Sequence, residues 1–394
     1  MIYANGNNEL EPEIWQSRLD IEKVVDDTNC NILLQIARED RKLVEIIRPA
    51  DDFPVINEKW TGVRRYIFKE GKAVLVKELG PVNMADPLCL YNFLNWSIKN
   101  YPAEKYMLIL GGHVYQFVGA LTDYSQDKPY IMGFPEMANT LQLINKRLGI
   151  VIDILVLDVC YLNFIEVLYE FGKYEKRIIK YLLTYIYDGP LSGLPYKQIM
   201  KILQKYRKAE ALQLIKRISE DVSRDLVAFD INYKKFKGVK ELINKLSCQY
   251  LDIKETEKPS INRFINNVEP DKPWCKDVKK LSQSLQSLII TYHRFSKEEK
   301  NLINIAQKLP DDFKKIKLYY RLAFNKGNKW FEILTNKTIN NKLNYIEKNE
   351  QKFAPTLLFP DLIKANIKAM NTDLKQEILN NIYKKLSKYK NWNY

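Results

Sequence analysis

Residues 151–171, VIDILVLDVCYLNFIEVLYEF, change character half-way. Val151 to Leu157 is an aliphatic run rich in β-branched residues, with Asp153 as its only charge. It is far shorter than the roughly 20 apolar residues a membrane helix needs, and it fits a buried strand of a parallel sheet. After Cys160 the apolar residues Phe164, Ile165, Leu168 and Tyr169 recur at helical spacing. Cys160 therefore stands where a strand hands over to a helix, at the carboxyl edge of a sheet. Open α/β sheets bind their ligands at that edge. Taken alone, such a cysteine reads first as a small apolar filler. Its meaning depends on what the rest of the chain brings to the same edge.

Working outward, the pattern alternates. Met1–Ala4 reads as a strand, Asn5–Asn8 as a turn, and residues 11–25 as a helix with acidic residues in its first turn. Asn31–Ala37 is the next strand, and residues 63–79 are two strands around the Glu70-Gly71 turn. In residues 84–102, MADPLCLYNFLNWSIKNYP, Asp86 caps a helix, Pro87 opens it and Pro102 stops it. Leu90, Phe93, Leu94 and Ile98 form its buried stripe. Tyr106–Leu110 is a buried strand ending in Gly111-Gly112-His113. Residues 114–134 look less regular. A helix over Pro135–Leu148 closes at Gly149, and the Cys160 strand and helix follow. Residues 180–187 are a further strand, and DGPLSGLPY (188–196) is a loop.

This alternation predicts a layered α/β domain over residues 1–196. Residues 197–394 read differently, as a Lys-rich and mainly helical region that packs on or regulates the first. Helices are expected at Lys197–Val227, Val278–Tyr292 and Leu374–Leu386, with a polar connection at 248–274. The charge divides in the same place. Residues 1–196 carry 21 Lys and Arg against 26 Asp and Glu, a net of −5. Residues 197–394 carry 41 against 22, a net of +19, which points to an acidic partner or a nucleic-acid-like ligand for that half, unless the surplus is a solvated face.

The 46% hydrophobic content suffices for one large domain or two smaller ones. No apolar stretch is long enough for a membrane span, and the first residues lack the basic and apolar segments of a secretory signal. Five scattered cysteines (Cys30, Cys89, Cys160, Cys248, Cys275) show no zinc-site spacing. Free thiols in a reducing compartment are expected, hence a cytoplasmic protein.

The chain has two histidines, His113 and His293. His113 directly follows one buried strand as Cys160 follows another. If those strands are neighbours, imidazole and thiol meet across one crevice. An imidazole lowers the pKa of a thiol beside it, and the thiolate attacks a carbonyl carbon. The Gly111-Gly112 turn leaves room for substrate backbone, and backbone N–H groups there and at Cys160 are placed to stabilise an oxyanion.

With these residues in view, the chain from Met1 to about Tyr196 resembles the clostripain-type cysteine peptidases of the caspase-like clan. The likeness runs in order through MIYANGNNELEPEIWQSRLDIEKV (1–24), PVNMADPLCLYNFLNWSIKNYPAEKYMLIL (81–110), LDVCYLNFIEVLYE (157–170) and GLPY (193–196). It implies a caspase-like, mostly parallel sheet with helices on both faces. It also implies a cysteine endopeptidase that cuts after Arg or Lys, with His113 as general acid/base and Cys160 as nucleophile. The backbone N–H of Val114, after the histidine, would join that of Cys160 in the oxyanion site. No cofactor is required by the resemblance, and calcium is an optional ion. The chain departs from the family in having GGHVYQF where an Asp-His-Gly segment is usual, so the branched Val114 side chain is expected to narrow the site. The rival reading is a catalytically weak scaffold, or a protease gated by its basic half.

A pocket for Arg or Lys needs a carboxylate at its base. Asp188, on the loop after the strand beside the nucleophile, and Asp158, two residues before Cys160, are the candidates. Their ordinary alternatives are a turn residue before Gly189 and a strand-end carboxylate bound to nearby backbone. Tyr161 and Tyr196 are weaker candidates for the cleft wall. Between His113 and Cys160 the basic residues offer no clean self-cleavage site. Lys128 precedes Pro129, and Lys146 and Arg147 sit on a helix, so activity without internal cleavage is expected.

Overall fold

The computed structural model describes residues 1–24, 30–48, 58–115, 119–126, 130–160, 162, 165–185, 189–224, 226–238 and 241, and beyond these 276–277, 304, 317–321 and 334–335. The first part runs β1 (Ile2–Gly6), α1 (Glu11–Glu22), β2 (Ile32–Arg38), α2 (Arg41–Ile47), β3 (Gly62–Lys69), β4 (Lys72–Gly80), α3 (Pro87–Asn100) and β5 (Met107–Gly111). Next come β6 (Val114–Tyr115), β7 (Gly119–Asp123), β8 (Tyr130–Met132), α4 (Phe134–Leu148), β9 (Ile152–Asp158), α5 (Ile165–Gly172) and β10 (Ile179–Tyr185). The remainder is α6 (Tyr196–Lys205), α7 (Ala211–Asp221), β11 (Leu226–Asp230), β12 (Lys276–Asp277), β13 (Lys317–Arg321) and β14 (Leu334–Thr335).

Nine strands make one sheet in the order β13-β11-β10-β9-β5-β1-β2-β3-β4. From β10 to β2 all neighbours are parallel. The hairpin β3–β4 extends one side and β11 and β13 the other, all antiparallel. The parallel block is buried on both faces, which is why its strands read as continuous apolar runs. Alternate residues feed two cores. Leu108, Leu110, Leu155, Leu157 and Leu182 face Phe93 of α3, Met137 of α4 and Val167 of α5. Ile109, Ile154, Val156 and Leu183 face Trp15 of α1, Ile199 of α6 and Ile215 of α7. Helices thus cover both faces, as the resemblance implies, in the layered α/β arrangement that the sequence pattern predicts.

Local chemistry sets the ends of several elements. Asp86 accepts a hydrogen bond from Leu88 N at 2.8 Å and Pro87 opens α3. Gly149 closes α4 in the left-handed conformation. Asp153 takes the Tyr106 N–H at 2.8 Å and the Lys180 ammonium at 2.6 Å, which accounts for a charge at the start of an apolar strand. Arg38, at the end of β2, pairs with Glu11 at 2.6 Å and lies over the Trp15 ring, so it fixes the start of α1.

Two segments differ from the sequence reading. Residues 114–134 hold the three-stranded sheet β6-β7-β8; its strands are too short to show a period. The stretch Lys197–Val227 is not helical throughout, because α6 and α7 are followed by β11, which pairs with β10. Its sequence, LVAFD, is a short apolar run that periodicity cannot separate from a helix. The sheet and the α1-side core run across the change of composition at residue 196. The expected helices at Val278–Tyr292 and Leu374–Leu386 lie outside the described residues.

Candidate active site

The register of the sheet brings His113 and Cys160 together. β5 and β9 are neighbours, and Gly111 is level with Asp158. His113 and Cys160 each follow two residues on, from strands about 4.8 Å apart. Both line a cleft of about 370 Å³ at the carboxyl edge, with Glu9, Glu13, Arg48, Asp158 and the loop Gly189–Gly193.

The turn before His113 is tightly packed. A Cβ at Gly112 would sit 3.2 Å from Asn5 O and 3.3 Å from Leu121 Cδ2. The His113 carbonyl accepts hydrogen bonds from Thr122 N and Thr122 Oγ1, both at 3.3 Å. Leu121 itself is in the left-handed region, at φ 58°. Asn5 Nδ2 holds it by donating to Leu121 O at 3.0 Å and to Thr122 O at 3.1 Å. The imidazole is about one-third exposed, 31%, and its Nδ1 lies 2.5 Å from Glu9 Oε1, an ion pair whenever the imidazole is protonated. Burial pushes the Glu9 carboxyl up, but the charge and hydrogen bonding of His113 outweigh it, and the net direction is below the usual range.

Cys160 is half-buried, and its Sγ is 3.6 Å from Gly189 O, to which the thiol donates. Asp158 is buried beneath it. Asp158 Oδ1 accepts from Tyr185 OH at 2.7 Å and Leu194 N at 3.0 Å, and Oδ2 accepts from Tyr196 OH at 2.9 Å. Burial drives its pKa upward; the phenol and amide hydrogen bonds and the charge of Arg224 pull back without cancelling it. Both phenols are pushed well above their ordinary value, by burial first and then by the Asp158 charge. Gly193, at φ 65°, closes the loop over this carboxylate, where a Cβ would come within 2.9 Å of Asp158 Oδ2.

The structure thus places His113, Cys160 and Asp158 on one cleft. Asp188 and Tyr161 lie outside the described residues. The Val114 side chain does not narrow the cleft; it is buried in the core on the α3 side, because Val114 begins β6. Tyr196 supports Asp158 from below rather than walling the cleft. Glu9, and the Arg48–Glu13 pair at 2.9 Å that lines the same cleft, are not among the candidates read from the sequence. One signal pointed to the first. Asn5, Asn7 and Asn8 crowd into four positions ahead of Glu9, and all three are fully buried rather than forming a surface turn.

Among the described residues no three His, Cys, Asp or Glu side chains gather as a metal site. A larger cavity of about 690 Å³ opens elsewhere, beside Met1, Cys30, Lys105 and Tyr206. No histidine lines it, and its Lys105 and Asp153 are paired with Glu210 and Lys180. Of the two, the smaller cleft is the one that brings a histidine and a cysteine together among the described residues. No described helix is long and apolar enough to cross a membrane.

A model of the clostripain family matches residues 44–388. The chain belongs to the clostripain family. It is accordingly a cysteine-type peptidase, acting on protein or peptide substrates. Solved structures of clostripain-family proteases share the fold. One is an inactive zymogen C11 protease from Parabacteroides distasonis, 14% identical, with a TM-score of 0.56 over 87% of this chain and 94% of that one. Another is a secreted C11 cysteine protease from Bacteroides thetaiotaomicron in complex with an irreversible peptide inhibitor, 14% identical, with a TM-score of 0.53 over 81% and 83%. No curated protein matches the chain. The matched residues 44–388 include the clostripain-family segments bearing His113 and Cys160, whereas Glu9 precedes them.

Proposed function

We propose that this clostripain-family chain is an endopeptidase with a Cys160/His113 dyad that cuts after Arg or Lys. The observation that carries the reading is the in-register exit of His113 and Cys160 from neighbouring parallel strands into one cleft. In the proposed cycle His113 takes the Cys160 proton and Sγ attacks the substrate carbonyl carbon. The carbonyl electron pair moves onto oxygen, where backbone N–H groups at Cys160 and Val114 are the proposed donors. The intermediate collapses, His113 gives its proton to the leaving amine, and a thioester remains on Cys160. Water, deprotonated by His113, then releases the acid and restores the thiol.

Three carboxylates face this cleft against one guanidinium, which favours a cationic substrate side chain. Glu9 is paired with His113 and Glu13 with Arg48. Asp158, in contrast, receives its hydrogen bonds from two phenols and one amide, none of them cationic. It is the carboxylate we assign to the substrate's Arg or Lys, with Asp188 the second candidate. The deciding experiment is mass spectrometry of a peptide library digested by wild type and by Cys160→Ala. Cuts after Arg and Lys that vanish in the variant support the reading. Cuts without that preference overturn the specificity, and cuts that persist overturn the nucleophile.

A further inference from the structure

Strand order sets up a row of loops that the dyad does not exhaust. β9, β5 and β1 are consecutive neighbours, all parallel. The loops after them leave the same edge side by side and carry Cys160, His113 and Glu9 in that order. We propose that Glu9 is a positioning residue: its carboxylate holds the His113 ring through Nδ1, so that Nε2 is the nitrogen left for Cys160. This rests on the peptidase reading above and deepens it.

The geometry is specific. Glu9 Oε1 is 2.5 Å from Nδ1, and the Glu9 side chain is only 11% exposed. A carboxylate that deep costs stability unless it is partnered, and its partners are His113 and the Tyr124 hydroxyl. Its own backbone is tied down on several sides. Arg48 Nη1 donates to Glu9 O at 2.8 Å, and Leu10 N donates to Asn8 Oδ1 at 2.9 Å. Asn8 Nδ2 donates to Thr122 O at 2.7 Å, and Asn7 Nδ2 to Asp123 Oδ2 at 2.8 Å. Asp123 also takes the Met84 N–H at 2.7 Å.

The buried asparagines therefore bolt the Glu9 loop to β7. β7 also backs the histidine, because Thr122 donates to the His113 carbonyl. One rigid unit fixes both ends of the Glu9–His113 contact, which is what positioning to within about 0.5 Å requires. An orienting carboxylate of this kind selects the tautomer and ring angle of a catalytic histidine and steadies its protonated form.

The test compares wild type, Glu9→Gln and Glu9→Asp on an Arg-containing peptide, with kcat and KM measured separately and unfolding checked by circular dichroism. Glu9→Gln keeps the shape and removes the charge. It should lower kcat on the order of 10²-fold while KM stays within about twofold. Glu9→Asp should recover at least tenfold of that loss. A kcat for Glu9→Gln within about threefold of wild type overturns the proposal. So does a loss that Glu9→Asp does not recover when both variants remain folded. The second readout is the rate at which iodoacetamide alkylates Cys160, followed by peptide mass spectrometry with Cys89 as internal reference. It should fall at least tenfold in Glu9→Gln. If the wild type cuts no peptide, the peptidase reading fails, and this rate still decides the role of Glu9: a fall supports positioning and an equal rate overturns it.

Discussion

Replacing Asp158 by Asn isolates the charge that the specificity assignment depends on. Asn keeps the shape. Its Oδ1 can still accept from Tyr185 OH and Leu194 N, while its Nδ2 would face Tyr196 OH, which can turn to accept. The magnitude follows from how much of the carboxylate is already used. A carboxylate offers about four acceptor directions, and three are occupied. One remains, so an incoming guanidinium can form a single direct bond rather than a bidentate pair. A hydrogen bond to a charged group contributes about 1.5–3 kcal/mol. Taking about 2 kcal/mol, at 1.4 kcal/mol per tenfold, gives a loss of about 30-fold in kcat/KM.

The assay pairs a fluorogenic peptide bearing Arg before the cut with its citrulline counterpart, which has the same shape and no charge. Asp158→Asn should lose about 30-fold on the first and less than threefold on the second. An Arg-to-citrulline ratio equal to wild type would refute the reasoning and move the assignment to Asp188. Acidity offers the same test without a mutation. Burial holds the Asp158 carboxyl above the usual carboxylate range, so it takes up a proton sooner as pH falls. A protonated carboxyl no longer attracts a cation, so KM for the Arg peptide should climb as pH drops through that raised value, ahead of any change for citrulline. The sign for stability runs the other way. Folding favours the neutral form of a carboxyl whose pKa is raised, so that contribution is present at low pH and is lost as pH rises. The neutral amide of Asp158→Asn carries no such loss, and the variant should unfold at no lower temperature than wild type at neutral pH.

Other outcomes follow from the same geometry. Cys160→Ala should abolish turnover with little change in melting temperature, since the thiol is half-buried; retained turnover would exclude it as nucleophile. His113→Ala should cost about 10²–10⁴-fold in kcat, read against wild type with the same peptide. Gly193→Ala should destabilise by about 1–3 kcal/mol in urea titration and raise KM for Arg peptides, because the site has φ 65° and a Cβ would crowd Asp158. The net +19 of residues 197–394 should retain the chain on an immobilised polyanion at low salt and release it near 1 M, where the Debye length is about 3 Å. Passage through the column at low salt would reduce that charge to a solvated face.

Legibility in the sequence tracked distance along the chain. The β3–β4 hairpin was readable because Glu70 and Gly71 take positive φ in a two-residue turn. The buried strands β5 and β9 were readable from uninterrupted aliphatic runs, and α3 from Asp86-Pro87 and a four-residue stripe. Because each stands two residues beyond the end of such a strand, His113 and Cys160 could be picked out as candidates before any contact was known. What could not be read was pairing. β11 looked like part of a helix because a five-residue apolar run has no period. The partners of Asp158 come from β10 and α6; nothing local marks Tyr185 among 25 tyrosines, and Tyr196 reads from the sequence as a cleft-wall residue rather than a partner of Asp158.

Glu9 shows the limit most clearly, and also what would have removed it. It lies within the opening segment that carries the resemblance, but nothing local there ties it to His113; its place is fixed by topology. In a parallel sheet every strand delivers its following loop to the same edge, so the loop after β1 must open beside His113 once β1 is known to lie against β5. Strand order is the missing quantity, and local sequence does not encode it. Two nearby features become intelligible only with that order in hand. Three asparagines that would be wasted in a surface turn are needed when the turn is buried between two active-site loops. A leucine at φ 58° is tolerable when two backbone carbonyls beside it, at Leu121 and Thr122, are held by the Asn5 amide. The strain and the buried amides are the cost of bringing a carboxylate up to the histidine from the strand next door.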